Sequence, residues 1–147
     1  MSYITNNDIE ERLGGALYVQ LTDDAGTGSA DTDKVDEARV GAEGVVDSYL
    51  SRRYAVPVAT SGDAELAGVL KSVSLDVAEY RLHARRPPVP ADVISKYREA
   101  IGWLERMASG SVTLPSLTEL PGRSTDGPVC EGSSSERIFS REDLENL

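Results

Sequence analysis

Residues 32–53 read TDKVDEARVGAEGVVDSYLSRR and carry the clearest structural signal in the chain. Apolar side chains recur in this stretch at steps of three and four residues, which places them on one face of an α-helix; they are Val35, Ala38, Ala42, Val45, Val46 and Tyr49. Pro57 follows shortly afterwards and cannot continue a helix. The pattern therefore predicts an amphipathic helix from Thr32 to about Arg53.

An acidic segment precedes this helix, at residues 22–36, and could be taken for a calcium-binding loop. An EF-hand loop needs oxygen donors at its first, third, fifth, ninth and twelfth positions. With Asp23 first, Asp31 falls ninth, but Ala25 falls third and Lys34 twelfth. An ammonium group cannot coordinate a cation, and no other register supplies the donors. We therefore expect a solvated turn that leads into the helix, and no metal or other cofactor.

Two shorter helices are expected before the acidic segment. Thr5 and Asp8 have the spacing of a capping box, with Ile4 and Ile9 placed to pack across the cap. The first helix should begin at Asn6. Two glycines at 14–15 then interrupt it, and one or two further turns are expected before the acidic segment.

Two long helices are expected after the first amphipathic one. Thr60 and Asp63 have the spacing of a second capping box, and the helix that follows should end near Arg85, before a proline-rich turn. Its predicted apolar stripe consists of Leu66, Val69, Leu70, Val73, Val77 and Tyr80. The last helix has Asp92 in its first turn and Gly110 just beyond its end. The chain is thus predicted to be all-α, a small bundle of four to five helices with Tyr49 in its core.

Composition limits the possible functions. With 147 residues, only one of them Phe and one Trp, the chain has room for one domain with a thin, aliphatic core. A net charge of −10 argues against wrapping nucleic acid through phosphate neutralisation. Cys130 is the single cysteine, so no internal disulfide forms and a reducing compartment is expected. No secretion signal or membrane span is evident in the sequence.

Helical periodicity stops after the last predicted helix. We divide the chain into a helical domain, residues 1–109, and an extended C-terminal arm, residues 110–147, which is rich in Ser, Gly and Pro. Apolar residues near the end of the arm suggest that contacts outside its own domain order it. The predicted partner-binding residues are Leu114, Leu117, Arg137, Ile138, Phe139, Arg141 and Leu144.

One basic cluster is a further candidate for polar contacts with a partner, and it holds the only histidine: Arg81, His83, Arg85 and Arg86. Cations near the C-terminus of a helix are also favoured by the helix dipole, so the cluster does not require a functional explanation. No nucleotide-binding glycine loop or zinc-binding motif occurs, and a nucleophile paired with a histidine would have to use His83 alone. We do not expect an enzyme.

The segment VDSYLSRRYAVPV, residues 46–58, resembles a signature of small proteins from tailed phages and prophages, typified by the Mu-like prophages and related to head–tail connector (adaptor or head-completion) proteins. Further segments resemble that family in the same order: MSYIT at the start, LTDDAGTG from residue 21, YRLH from residue 80, KYREAIGWL from residue 96 and SERIFSREDL from residue 135.

The resemblance implies a structural protein of the virion. It would form a ring, of twelve subunits, that binds the portal protein on one side and a tail-completion or stopper protein on the other. DNA would pass through the channel as cargo, without a membrane, and assembly would take place in the host cytoplasm. Two alternatives remain open at this point, a monomeric helical binding or regulatory module with a disordered tail and a calcium-responsive binding module.

Overall fold

The computed structural model describes residues 2–114 and 116–121, which form five α-helices. They are α1 (Asn6–Leu13), α2 (Gly15–Thr22), α3 (Thr32–Leu50), α4 (Ala64–Ala84) and α5 (Ala91–Ser109). In this part of the chain there is no β-sheet, and the one isolated β-bridge joins Tyr54 to Glu119. No helix among these five is long and apolar enough to cross a lipid bilayer. The prediction of an all-α bundle is confirmed.

Helix α4 is the centre of the bundle. It packs against each of the other four helices. Because neighbours surround it, its second half is buried on several sides, at Val73, Ser74, Leu75, Val77, Ala78, Glu79, Leu82 and His83. The Glu79 carboxylate forms ion pairs with Arg12 of α1, at an N–O distance of 3.2 Å, and with Lys96 of α5, at 3.7 Å. One buried charge thus links three helices.

The start of α1 is built as the sequence predicts. Thr5 is the N-cap, and its hydroxyl accepts a hydrogen bond from the Asp8 N–H while the Asp8 carboxylate accepts one from the Thr5 N–H. Ile4 and Ile9, on either side of this cap, are each 1% exposed. The capping box is confirmed, and both isoleucines belong to the core.

The boundaries of the longer helices differ from the prediction at two points. Helix α3 ends at Leu50, three residues before the expected end, and turns continue the chain. Helix α4 is capped by Asp63, which accepts from the Leu66 N–H at 2.9 Å, so the expected capping box with Thr60 is wrong. Gly62 has φ of +100° and takes the chain out of helical geometry between the two residues.

Side-chain burial also corrects parts of the predicted core. Val69, assigned to the apolar stripe of α4, is 39% exposed. Tyr49 is half-buried against the core, whereas Tyr54, just after α3, is only 2% exposed. The Tyr3 hydroxyl donates to Asp47 at 2.6 Å and accepts from the Val58 N–H at 2.8 Å. The segment after α3 is therefore fixed against both the core and the N-terminus.

Candidate functional site

Two arginines of the predicted basic cluster bind the acidic loop between α2 and α3. Arg85 donates to the Leu21 carbonyl oxygen at 2.8 Å and forms an ion pair with Asp24. Arg86 donates to the Asp23 carbonyl oxygen at 2.7 Å and lies 3.1 Å from the Asp24 carboxylate. The acidic segment and the basic cluster, far apart in sequence, are thus partners within one chain.

The carboxylates of Asp23 and Asp24 already accept hydrogen bonds from groups of the same chain. Asp23 accepts from the N–H groups of Thr27, at 3.0 Å, and Gly28, at 2.7 Å, and these bonds lower the pKa of its carboxyl. The hydrogen bond from Arg86 lowers the pKa of Asp24. Among the described residues no group of His, Cys, Asp and Glu side chains is arranged to hold a metal ion. The geometry supports a closed, internally neutralised turn.

The two remaining members of the cluster have opposite environments. His83 is 7% exposed and lies in the buried part of α4, so it offers little surface to a partner. Arg81 is exposed, and within the described part of the chain it forms no hydrogen bond or ion pair. Arg81 is therefore the member of the cluster with its donors free.

The first part of the predicted arm folds back on the helical domain. We call residues 111–114 and 116–121 the strap. The Leu120 N–H donates to the Arg53 carbonyl oxygen at 2.7 Å, and the Leu114 N–H donates to the Tyr54 hydroxyl at 3.3 Å. The strap thus covers the turn that follows the C-terminal end of α3.

Two predicted partner-binding residues, Leu114 and Leu117, lie in the strap. Both are partly buried and pack against the core, as does Val112. The strap is in contact with its own chain: the Val112 N–H donates to the Arg106 carbonyl oxygen of α5 at 3.3 Å, and Leu114 and Leu120 bond to the segment that follows α3. Binding of Leu114 and Leu117 to a partner stays a prediction. The boundary at residue 110 and the role of the rest of the arm stay predictions, since Arg137, Ile138, Phe139, Arg141 and Leu144 lie outside the described residues.

A buried arginine lies beneath the strap. The Arg53 side chain is 3% exposed, and its Nη2 atom pairs with the Glu119 carboxylate of the strap. Within the described part of the chain, its Nε and Nη1 atoms are buried without a hydrogen-bond partner. A buried guanidinium is costly unless paired, so Glu119 fixes the strap to the turn after α3. In sequence Arg53 resembled any cation after a helix, and no local pattern indicated its burial.

A groove opens at the other end of α3, against the C-terminal end of α4. Its volume is about 290 Å³, and it is lined by Lys34, Glu37, Ala38, Tyr80, Arg81, Ala84 and Arg85. The Tyr80 ring is held in place by stacking on Tyr97 of α5, with ring centroids 4.1 Å apart. We call this surface the α3–α4 groove. Its lining combines apolar surface with cationic side chains.

The position of Arg81 in the groove depends on a glycine. The guanidinium lies directly over Gly41 of α3, so that a Cβ at this position would lie 2.6 Å from Cζ and 2.7 Å from Nε. With hydrogen in place of a side chain, Gly41 lets the guanidinium rest on the helix. Neither the groove nor this contact was predicted, since the contact joins Gly41 and Arg81, which lie forty residues apart in sequence.

The fold and these surfaces define a small all-α protein whose distinctive features are a groove lined partly by cations and a strap held by a buried arginine. The family model described as Bacteriophage Mu, Gp36 matches residues 3–129, and the chain belongs to this family. Membership places it among proteins of Mu-like phages and prophages and suggests a structural or assembly role. The match includes the whole strap and ends before the apolar residues predicted for the far end of the arm.

A curated relative agrees with the family match. The chain is 35% identical over 86 residues to the Mu-like prophage FluMu protein gp36 of Haemophilus influenzae. The aligned part covers 58% of this chain and 56% of the relative, so the chain spans little more than half the relative's length. The suspected resemblance to a Mu-like family is confirmed.

Proposed function

We propose that the protein is a head–tail connector subunit, also called an adaptor, of a Mu-like phage or prophage. In this role it forms a ring, of twelve copies, that binds the portal protein and offers its other face to a tail-completion or stopper protein. The observation that carries the proposal is the family match over residues 3–129, which spans the helical domain and the strap together. The connector role itself rests on the resemblance of residues 46–58 to connector proteins.

The structure is suited to lateral association. The bundle is small, and the α3–α4 groove leaves apolar and cationic surface uncovered by its own described residues. Copies packed side by side bury such surfaces, and a closed ring leaves none of them unpaired. A helical domain that presents rigid surfaces gains binding energy without reorganising its core.

The charge of the chain is suited to a DNA channel. The net charge is −10, and exposed carboxylates such as Glu99 and Glu105 on α5 lack ion pairs within the described residues. A channel wall of like charge repels the phosphates of passing DNA and offers them no stable binding site. The same charge would disfavour a function that depends on tight DNA binding.

The direct test is to mix the purified chain with the portal protein encoded by the same genome and to image the mixture by electron microscopy. We expect rings attached to one end of the portal, with a mass that gives the number of copies per portal. A matched control is the major capsid protein of the same genome, which should not be decorated. The proposal is wrong if no ring or decoration forms under conditions in which an established connector binds its own portal.

A further inference from the structure

The α3–α4 groove has the chemistry of a site for a short acidic segment with one apolar side chain. Ala38 and Ala84 and the ring of Tyr80 provide apolar surface, while Lys34 and Arg81 add positive charge to the lining. Neither cation forms an ion pair within the described residues. A ligand that fits would insert an aliphatic side chain between flanking carboxylates. Glu37 also lines the groove and restricts the directions from which such a segment can enter.

Outside the five helices, one segment of the sequence has that pattern. Residues 142–145 read Glu-Asp-Leu-Glu, so that Leu144 is flanked by Asp143 and Glu145. We propose that the α3–α4 groove of one copy binds Leu144 and its flanking carboxylates from a neighbouring copy. The inference rests on the proposed ring and names the contact that joins its subunits.

The length of the chain permits this contact. The strap ends at Pro121, close to the C-terminal end of α3, and the groove lies at the N-terminal end of the same helix. At 1.5 Å rise per residue the two places are about 25 Å apart along the helix. The residues between Pro121 and Leu144 can extend over about 70 Å, which is enough to reach the groove of an adjacent copy.

Charge favours a neighbouring copy over the chain's own groove. Subunits that each carry −10 repel one another, so a ring needs contacts of opposite charge between its members. Lys34 and Arg81 are cations available for such contacts. A segment bound in its own groove would neutralise them and leave the repulsion between copies in place.

Disulfide trapping between two different copies tests the proposal directly. In a Cys130→Ser background, one protein carries Ala84→Cys and the other carries Leu144→Cys. The two are mixed on the portal and oxidised. We expect a covalent heterodimer on a denaturing gel, whereas Glu105→Cys, at an exposed site on α5 outside the groove, should not replace Ala84→Cys. A chain with both cysteines that cross-links only within itself, and never in the mixture, would overturn the proposal.

The charges are tested by reversal and rescue. Lys34→Glu with Arg81→Glu should lower trapping by about tenfold, the effect of converting two screened attractions into repulsions. Adding Asp143→Arg and Glu145→Arg to the other protein should restore it. Trapping that is indifferent to these changes contradicts the assigned contact. If rings form on the portal without any trapping, the contact is wrong and the connector function stands; if no rings form, the connector function itself fails.

Discussion

The two ends of α3 are built in opposite ways. Just beyond its C-terminal end the strap covers the buried side chains of Arg53 and Tyr54, and two hydrogen bonds and an ion pair close the contact. At its N-terminal end the helix lines an open groove whose cations Lys34 and Arg81 lack ion pairs within the described chain. The first end is completed by its own chain, whereas the second presents surface to another molecule.

The contrast shows how one helix serves both stability and assembly. Removing buried groups at the C-terminal end leaves cavities or unpaired charges, which are costly in a small core. Exposed groups at the N-terminal end contribute little to folding and are free to be used in binding. Substitutions at the C-terminal end should therefore change mainly the free energy of unfolding. Substitutions at the N-terminal end should change mainly assembly.

The largest effect is expected at Tyr54. Tyr54→Ala should lower the free energy of unfolding by about 3–5 kcal/mol, because it empties a site under the strap. Tyr54→Phe removes only the hydroxyl bonded to the Leu114 N–H and should cost about 1 kcal/mol. Urea denaturation of the full chain measures both. The control is Val40→Ala at a 58% exposed site, expected within about 0.5 kcal/mol of the unchanged protein. Equal losses in the free energy of unfolding for Tyr54→Ala and Val40→Ala would show that the strap does not bury Tyr54.

The next effect concerns the ion pair beneath the strap. Glu119→Gln leaves the Arg53 guanidinium buried without a carboxylate and should cost about 2–3 kcal/mol, somewhat below a fully buried pair because Glu119 is 26% exposed. Arg53→Met removes the charge together with the unpaired Nε and Nη1 atoms and should cost less than about 1 kcal/mol. The same denaturation experiment ranks the two variants. The opposite order would mean that Arg53 is held by contacts other than Glu119.

A smaller effect, of opposite sign, is expected at two glycines of α3. Gly44→Ala should raise the free energy of unfolding by about 1 kcal/mol, because alanine favours the helix and no atom of the described residues lies within 4 Å of the new Cβ. Gly41→Ala should raise the free energy of unfolding by up to the same amount, since the exposed Arg81 side chain can adopt another rotamer. Only Gly41→Ala should reduce disulfide trapping between copies. Destabilisation by Gly41→Ala of more than about 1 kcal/mol would show that Arg81 is fixed in place.

The smallest effect is a pH response of the acidic loop. The amide bonds from Thr27 and Gly28 hold the pKa of Asp23 below its ordinary value of 3.8. Because the folded-state pKa is lowered, the carboxylate contributes stability above its unfolded pKa and loses that contribution as the pH falls through the folded value. The Gly28 amide signal in NMR spectra should titrate below pH 3.8, and should not titrate in Asp23→Asn. A midpoint above 3.8 would contradict the observed hydrogen bonds.

Local signals in the sequence were sufficient to predict most of the helices. The capping box at Thr5 and Asp8, the start of α3 and the glycine after α5 each depend on residues a few positions apart, and all are confirmed. The capping box at Thr60 failed because Gly62 adopts a positive φ, which the spacing of Thr60 and Asp63 does not reveal.

The candidate surfaces could not be predicted because they depend on contacts between distant residues. Asp24 and Arg86 were assigned to separate features, a loop and a cluster, although they pair across 62 positions. The burial of Arg53 likewise depends on Glu119, which is 66 residues away. Charge and periodicity identify such residues as candidates, but only the packing of α3 against α4 and the strap shows which of them remain available for binding.

The most direct test is a cryo-electron microscopy map of the chain assembled on its portal, at a resolution that shows side chains. We expect density from a neighbouring copy in the α3–α4 groove next to Arg81, with the strap still bound over Arg53 and Tyr54. A ring in which the groove faces solvent, or in which the strap has left α3 to join another subunit, would contradict the account.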